Sequence, residues 1–167
     1  MKRGEALILA CMGLAVVGLM VRNAVSLRSE AEPDRGIPFY TTANPELART
    51  GGDLYRSNNC RQCHSLWSVK SPFESVPAPA LDGIGSLHDE EWFYQYFSAP
   101  DPQRIVPSRL KLEYRMPSLA GLPDDERRAL ARYMSSLKVK DWYLDSTRAA
   151  EYEKLTGKAY PGSHGEN

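Results

Sequence analysis

Cysteine is scarce in this chain of 167 residues: there are three, an odd number, and Cys11 lies inside an apolar run. A disulfide framework is therefore excluded, and only Cys60 and Cys63 are placed to act together. Histidine is equally scarce, with His64, His88 and His164. The last two have no partner at ligand spacing, which removes the second pair that a tetrahedral zinc site needs. Neither sign of charge is in excess, because 21 basic side chains offset 21 acidic ones. No basic run is interleaved with aromatics either, so nucleic-acid binding is excluded. No stretch alternates polar and apolar residues over strand length, and the part after the first apolar run reads as all-α. That also removes the βαβ setting of a thioredoxin-like dithiol. The length suits one modest domain with appendages.

Long apolar runs are lacking too, with one exception. Lys2 and Arg3 precede an uncharged run from Ala6 to Val21. As a helix it measures about 24 Å, against a hydrocarbon core of about 30 Å. It lengthens to Leu27 if Arg22 extends its head toward the lipid headgroups. Residues 1–28 are expected to be an uncleaved signal retained as a single transmembrane anchor. Cleavage is the alternative, since the positive start and apolar run also fit a signal peptide, but "NAV" and "AVS" are poor cleavage sites. Lipidation of Cys11 in "ILAC" is a third option. Each of these sends the remainder across the inner membrane of a bacterium, with the folded domain in the periplasm.

Residues 29–44 hold Pro33, Gly36 and Pro38 without periodicity and read as a linker. The main domain is expected over 45–140. Asn44 and Pro45 have the chemistry of a helix cap and first helical residue, on a helix interrupted by Gly51 and Gly52. Pro72, Pro77 and Pro79 forbid a long helix after residue 65. "HDEEWFYQYFSAP" starts acidic and spaces Trp92, Phe93, Tyr96 and Phe97 helically. In "LPDDERRALARYMSSL" an acidic first turn precedes Leu130, Tyr133, Met134 and Leu137 at i, i+3, i+4 and i+7. Residues 141–167 read as a polar tail with one short helix near 147–155.

Against this background, "SNNCRQCHSLW" stands out. Cys60, Cys63 and His64 form Cys-x-x-Cys-His, the arrangement of c-type haem attachment. Two thiols on one turn of chain add across the two vinyl groups of a single porphyrin, and the adjacent imidazole is held against the iron. His64 is then the proximal ligand, and the sixth position decides between electron transfer and ligand chemistry. Met12 and Met20 lie in the apolar run, and Met134 has core spacing on a helix. Met116 lies in a non-helical segment before Pro117, where a rigid loop can offer its thioether, and Met/His ligation raises the potential. His88, at a helix start where a solvated role is ordinary, and His164 in the tail are the competing ligands.

The match extends beyond the motif. "GGDLYRSNNCRQCH", "PAPALDGIG", "RMPSL" and "ERRALARYMSSL" occur in the order found in class I cytochromes c, and residues 47–138 resemble that family. The resemblance implies an all-α class I cytochrome c fold with one covalently bound haem c. It implies that the Pro79 carbonyl holds the Nδ1 proton of His64, and that Gly51 and Tyr55 cross the last helix near Leu130 and Tyr133. Ala78 departs from the glycine usual in the family's proximal loop. Trp67, Phe73, Trp92 and Phe97 are candidates for the haem wall, and Arg104 or Arg109 for pairing with propionates, with ordinary packing and solvated charge as the plainer roles.

The N-terminal run and "NNCRQCHSLW" are similar to membrane-bound monohaem subunits of cbb-type haem-copper oxidases and nitric oxide reductases. The implied role is an electron-transfer protein, not an enzyme by itself, working to or within a bacterial respiratory membrane complex. Its partners would be other subunits of that complex and a donor such as a soluble cytochrome or a quinol-oxidising complex. A free periplasmic shuttle, or a haem enzyme or gas sensor with an open sixth position, are the alternatives.

Overall fold

The computed structural model describes residues 3–29, 35–69, 76 and 78–162, so Phe73 and His164 lie outside the described residues. The chain divides into two compact units, Met1–Gly36 and Ile37–Asn167. The first contains helix α1 (Arg3–Ser29). Among the described residues no helix is long and apolar enough to cross a membrane.

The second unit is mainly helical. Its elements are β1 (Phe39–Thr41), α2 (Pro45–Ser57), α3 (Glu90–Ser98), α4 (Asp124–Ser136), β2 (Leu137–Val139) and α5 (Leu144–Thr156). Helix α2 begins where the Asn44 side chain accepts from the Leu47 amide at 2.8 Å, with Pro45 in the first turn. This satisfies one of the orphan donors at a helix start. Asp89 does the same for α3, accepting from the Trp92 amide at 2.8 Å. Helix α4 has no side-chain cap, but Asp124, Asp125 and Glu126 place negative charge at its positive end.

Helix α4 packs against both α2 and α3. Its apolar stripe explains this: Leu130, Ala131, Tyr133 and Met134 are buried, and they meet Tyr55, Ile84, Phe93 and Phe97. Leu130 and Leu137 are fully buried, each contributing about 1.5–3 kcal/mol by removal from water.

Two expectations need correction. Gly51 and Gly52 do not interrupt the first helix, since α2 is continuous through both. Glycine costs about 1 kcal/mol in a helix interior, but a Cβ at Gly51 would overlap the Tyr133 side chain. The residue is there to let α2 and α4 cross closely, and helix propensity yields to that contact. The domain is also not purely α. Strands β1 and β2 form an antiparallel ladder in which Phe39 pairs with Val139 and Thr41 with Leu137. Three-residue strands are too short to show alternation, and each lacks a partner nearby in sequence. Part of the stretch read as linker is thereby tied into the folded unit, and α5 is longer than the short helix expected in the tail.

Candidate functional site

The motif follows α2 directly. The chain turns through a 3-10 segment, Cys60–Gln62, with the Cys63 amide bonded to the Cys60 carbonyl at 3.2 Å and the His64 amide to the same oxygen at 2.9 Å. Asn59 takes the left-handed conformation that starts this turn, φ 57°. The Tyr55 hydroxyl donates to the His64 carbonyl at 2.9 Å. Its acidity is suppressed, chiefly by burial, so it remains a donor.

His64 Nδ1 lies 2.7 Å from the Pro79 carbonyl oxygen. A carbonyl only accepts, so Nδ1 carries the proton and Nε2 is the lone-pair nitrogen, the atom a metal would take. The Leu81 amide donates to the Ser65 carbonyl at 2.9 Å, and Asp82 accepts from the Ser68 amide at 3.0 Å. These bonds clamp the segment around Pro79 to the motif. The amide of Ala78 bonds to the Val76 carbonyl at 2.8 Å, and Ala78 lines the same cavity as Pro79.

A cavity of about 400 Å³ opens beside these residues, within the ordinary range for a cofactor site. Cys60, Cys63, His64 and Pro79 line it, and so does Met116, which the fold brings to the same space from 52 residues further along (116 − 64). The rest is largely apolar, including Ile84, Phe93, Phe97, Leu130 and Met134. Met134 therefore serves both core and cavity wall. Neither Cys60 nor Cys63 is in a disulfide. Burial pushes the Cys60 thiol up to about 11, so it is neutral at physiological pH and not a poised redox thiolate.

Met116 sits between a 3-10 turn at Leu112–Tyr114 and Pro117. The Gln103 side-chain amide donates to the Met116 carbonyl at 3.0 Å, the Ser118 hydroxyl to the Ala99 carbonyl at 2.8 Å, and Arg115 Nε to the Leu110 carbonyl at 2.8 Å. Sequence reasoning missed Gln103 and Arg115, although the position of Arg115 beside Met116 was a signal. It also missed Glu151, Lys154 and Leu155 of α5, which line the cavity and carry no motif.

The wall candidates separate. Trp92 and Phe97 line the cavity, whereas Trp67 does not: it is 42% exposed on a tight turn where Trp67 and Ser68 both have positive φ. Arg109 lines the cavity and Arg104 does not. His88 is neither a solvated end residue nor oriented as an open ligand. Its Nε2 is 2.9 Å from Glu151 Oε1, and its ring stacks on Trp92 at 3.7 Å.

The residues present fit a haem. Two cysteines outside any disulfide and an imidazole of fixed tautomer stand on the wall of an apolar cavity that also holds a thioether, with Arg109, Arg115 and Lys154 on the same wall to meet carboxylates. Fold and site together define a c-type haem domain. Residues 48–138, more than half of the chain, match the family model for cytochrome c. The chain belongs to the cytochrome c family, as a class I member, and binds haem c covalently. No curated protein and no solved structure matches it.

The group supplies one-electron exchange at iron, and the family role is haem-based electron transfer. The chain's part is to hold, orient and desolvate that group. The Pro79 carbonyl keeps the imidazole in one tautomer and orientation, the apolar wall excludes water, and the tight turn fixes the two sulfurs relative to His64.

Proposed function

We propose that this protein is a membrane-anchored monohaem cytochrome c that passes electrons to or within a bacterial respiratory membrane complex. Cys60 and Cys63 carry the thioethers, and His64 and Met116 are the axial iron ligands. The observation that carries this reading is the single cavity shared by the Cys-x-x-Cys-His turn and Met116. With both axial positions filled by protein, iron changes oxidation state with little rearrangement and has no site for an exchangeable ligand. An electron carrier needs that condition, and a sensor must avoid it.

The anchor is supported by the uncharged run from Ala6 to Val21, preceded by Lys2 and Arg3. It sets the periplasmic face of an inner membrane as the place of work. Donor and acceptor belong to the classes named by the resemblance, a soluble cytochrome or quinol-oxidising complex on one side and partner subunits on the other.

Carbon monoxide binding tests the ligand set. The reduced wild-type protein should resist it, and Met116→Ala should bind it readily with a lowered potential. A wild type that binds carbon monoxide freely, with Met116→Ala unchanged in spectrum and potential, would refute the carrier reading. Carbonate washing of membranes tests the anchor, and release of the haem protein would count against it.

A further inference from the structure

Helix α5 lies past the family match, which ends at residue 138, yet Glu151, Lys154 and Leu155 line the cavity that holds His64 and Met116. Their spacing, i, i+3 and i+4, puts all three on one face of the helix. The helix is fastened to the site on either side of Lys154. Before it, Glu151 Oε1 meets His88 Nε2 at 2.9 Å across 63 residues of chain, and the His88 ring stacks on Trp92 of the cavity wall. After it, Gly157 ends the helix in a left-handed turn, φ 70°, against the guanidinium of Arg109, close enough that a Cβ would stand 2.8 Å from Arg109 Cζ. The last carbonyls of a helix form its negative pole, which suits a cation seated against that turn. The segment beyond the family span thus carries one wall of the haem site.

Among the described residues, the acidic and basic side chains lining the cavity are Arg109, Glu113, Arg115, Glu151 and Lys154. Glu151 is engaged by His88, and Arg115 is tied through Nε to the Leu110 carbonyl in the loop before Met116. Glu113 lies on an exposed 3-10 turn. Arg109 and Lys154 have neither an ion pair nor a side-chain hydrogen bond among the described residues. Both are exposed and both line the cavity, so they stand where its apolar wall meets solvent.

We propose that α5 completes the haem site at its carboxylate end: Lys154 and Arg109 receive the two propionates, Gly157 seats Arg109, and the His88–Glu151 contact keeps Lys154 on the wall. This rests on the haem occupying the cavity as read above. The macrocycle belongs among the apolar wall residues, whereas its two carboxylates must stay paired or hydrated, which places them where the two exposed cations line the cavity. Positive charge at that end offsets carboxylate charge that favours ferric over ferrous iron, so the pair of cations raises the reduction potential. Lys154 and Arg109 meet the carboxylates directly, and His88, Glu151 and Gly157 are positioning residues.

The test uses the full haem-loaded chain, read by redox titration and by the propionate-bending bands of its resonance Raman spectrum. Lys154→Gln should shift a propionate band and lower the potential, by a roughly tenfold change in the equilibrium between oxidation states, or about 59 mV for one electron. Lys154→Arg should restore both. Gly157→Ala keeps every charge but drives the Arg109 guanidinium off the turn, and should lower the potential in the same direction. Arg148→Gln removes a charge from α5 away from the cavity wall and should change neither readout. An unshifted propionate band in Lys154→Gln, or a fall in potential no larger than that of Arg148→Gln, would overturn the proposal. Haem staining and carbon monoxide binding of the same samples report on the tethers and axial ligands independently, so failure of the haem reading and failure of the carboxylate reading give different results.

Discussion

The two sides of the haem site are built differently. The proximal side is local: Tyr55, Cys60, Cys63 and His64 lie on α2 and the turn after it, and Tyr55 donates to the His64 carbonyl only nine residues away. The distal side is assembled from separated loops, in which Gln103 holds the Met116 carbonyl and Ser118 holds that of Ala99, 19 residues away. Local construction makes His64 hard to misplace. The placement of Met116 depends on several loop contacts, each contributing about 1 kcal/mol.

The strongest way to break this comparison is at the covalent tether. Cys60→Ala with Cys63→Ala should abolish covalent haem, read as loss of the haem stain on a denaturing gel. No distal substitution should do so. Next is the helix crossing that supports the proximal turn. Gly51→Ala forces α2 away from Tyr133 and should cost about 1–3 kcal/mol, measured by denaturant unfolding of the haem protein.

A matched pair of smaller changes sharpens the contrast. Tyr55→Phe and Gln103→Ala each remove one hydrogen bond and should each cost about 1 kcal/mol. Tyr55→Phe should leave carbon monoxide exclusion intact, because His64 is still fixed by Pro79. Gln103→Ala should admit carbon monoxide faster, because Met116 is less firmly held. Equal behaviour of the two variants would remove the distinction between the sides.

The smallest effect lies away from the haem. Hydrogen bonds from Tyr94 and then Arg128 hold the Asp124 carboxyl down at about 2. A depressed carboxyl contributes stability that is complete above about pH 4 and is lost as pH falls toward about 2. Asp124 is exposed, so the contribution is small. In acid unfolding followed by circular dichroism, the gap between wild type and Asp124→Asn should narrow below about pH 3.

The same contrast governs what the sequence made legible. Cys60, Cys63 and His64 are readable because their chemistry needs a fixed short spacing, and the Asn44 cap and the α4 stripe because helix periodicity is local. The Pro79 contact came only through family resemblance, since nothing in the spacing of Pro79 to His64 specifies a carbonyl's direction. Glu151 and the β1–β2 ladder were invisible for one reason: their partners are distant in sequence, and neither leaves a periodic trace. The continuity of α2 was misread because a glycine pair signals a break unless one knows that Tyr133 lies against it.

The β1–β2 ladder also has a mechanical meaning. Beyond its pairs, the Lys140 amide bonds to the Pro38 carbonyl at 2.8 Å and the Thr42 amide to the Ser136 carbonyl at 3.0 Å. Tension entering from the N-terminal side meets the Pro38–Lys140 bond and then the Phe39–Val139 pair, and β2 continues directly from α4. The load therefore passes into the central helix before it reaches α2. The ladder acts as a strain relief, so that tugging on the leading segment is not felt at the turn bearing His64.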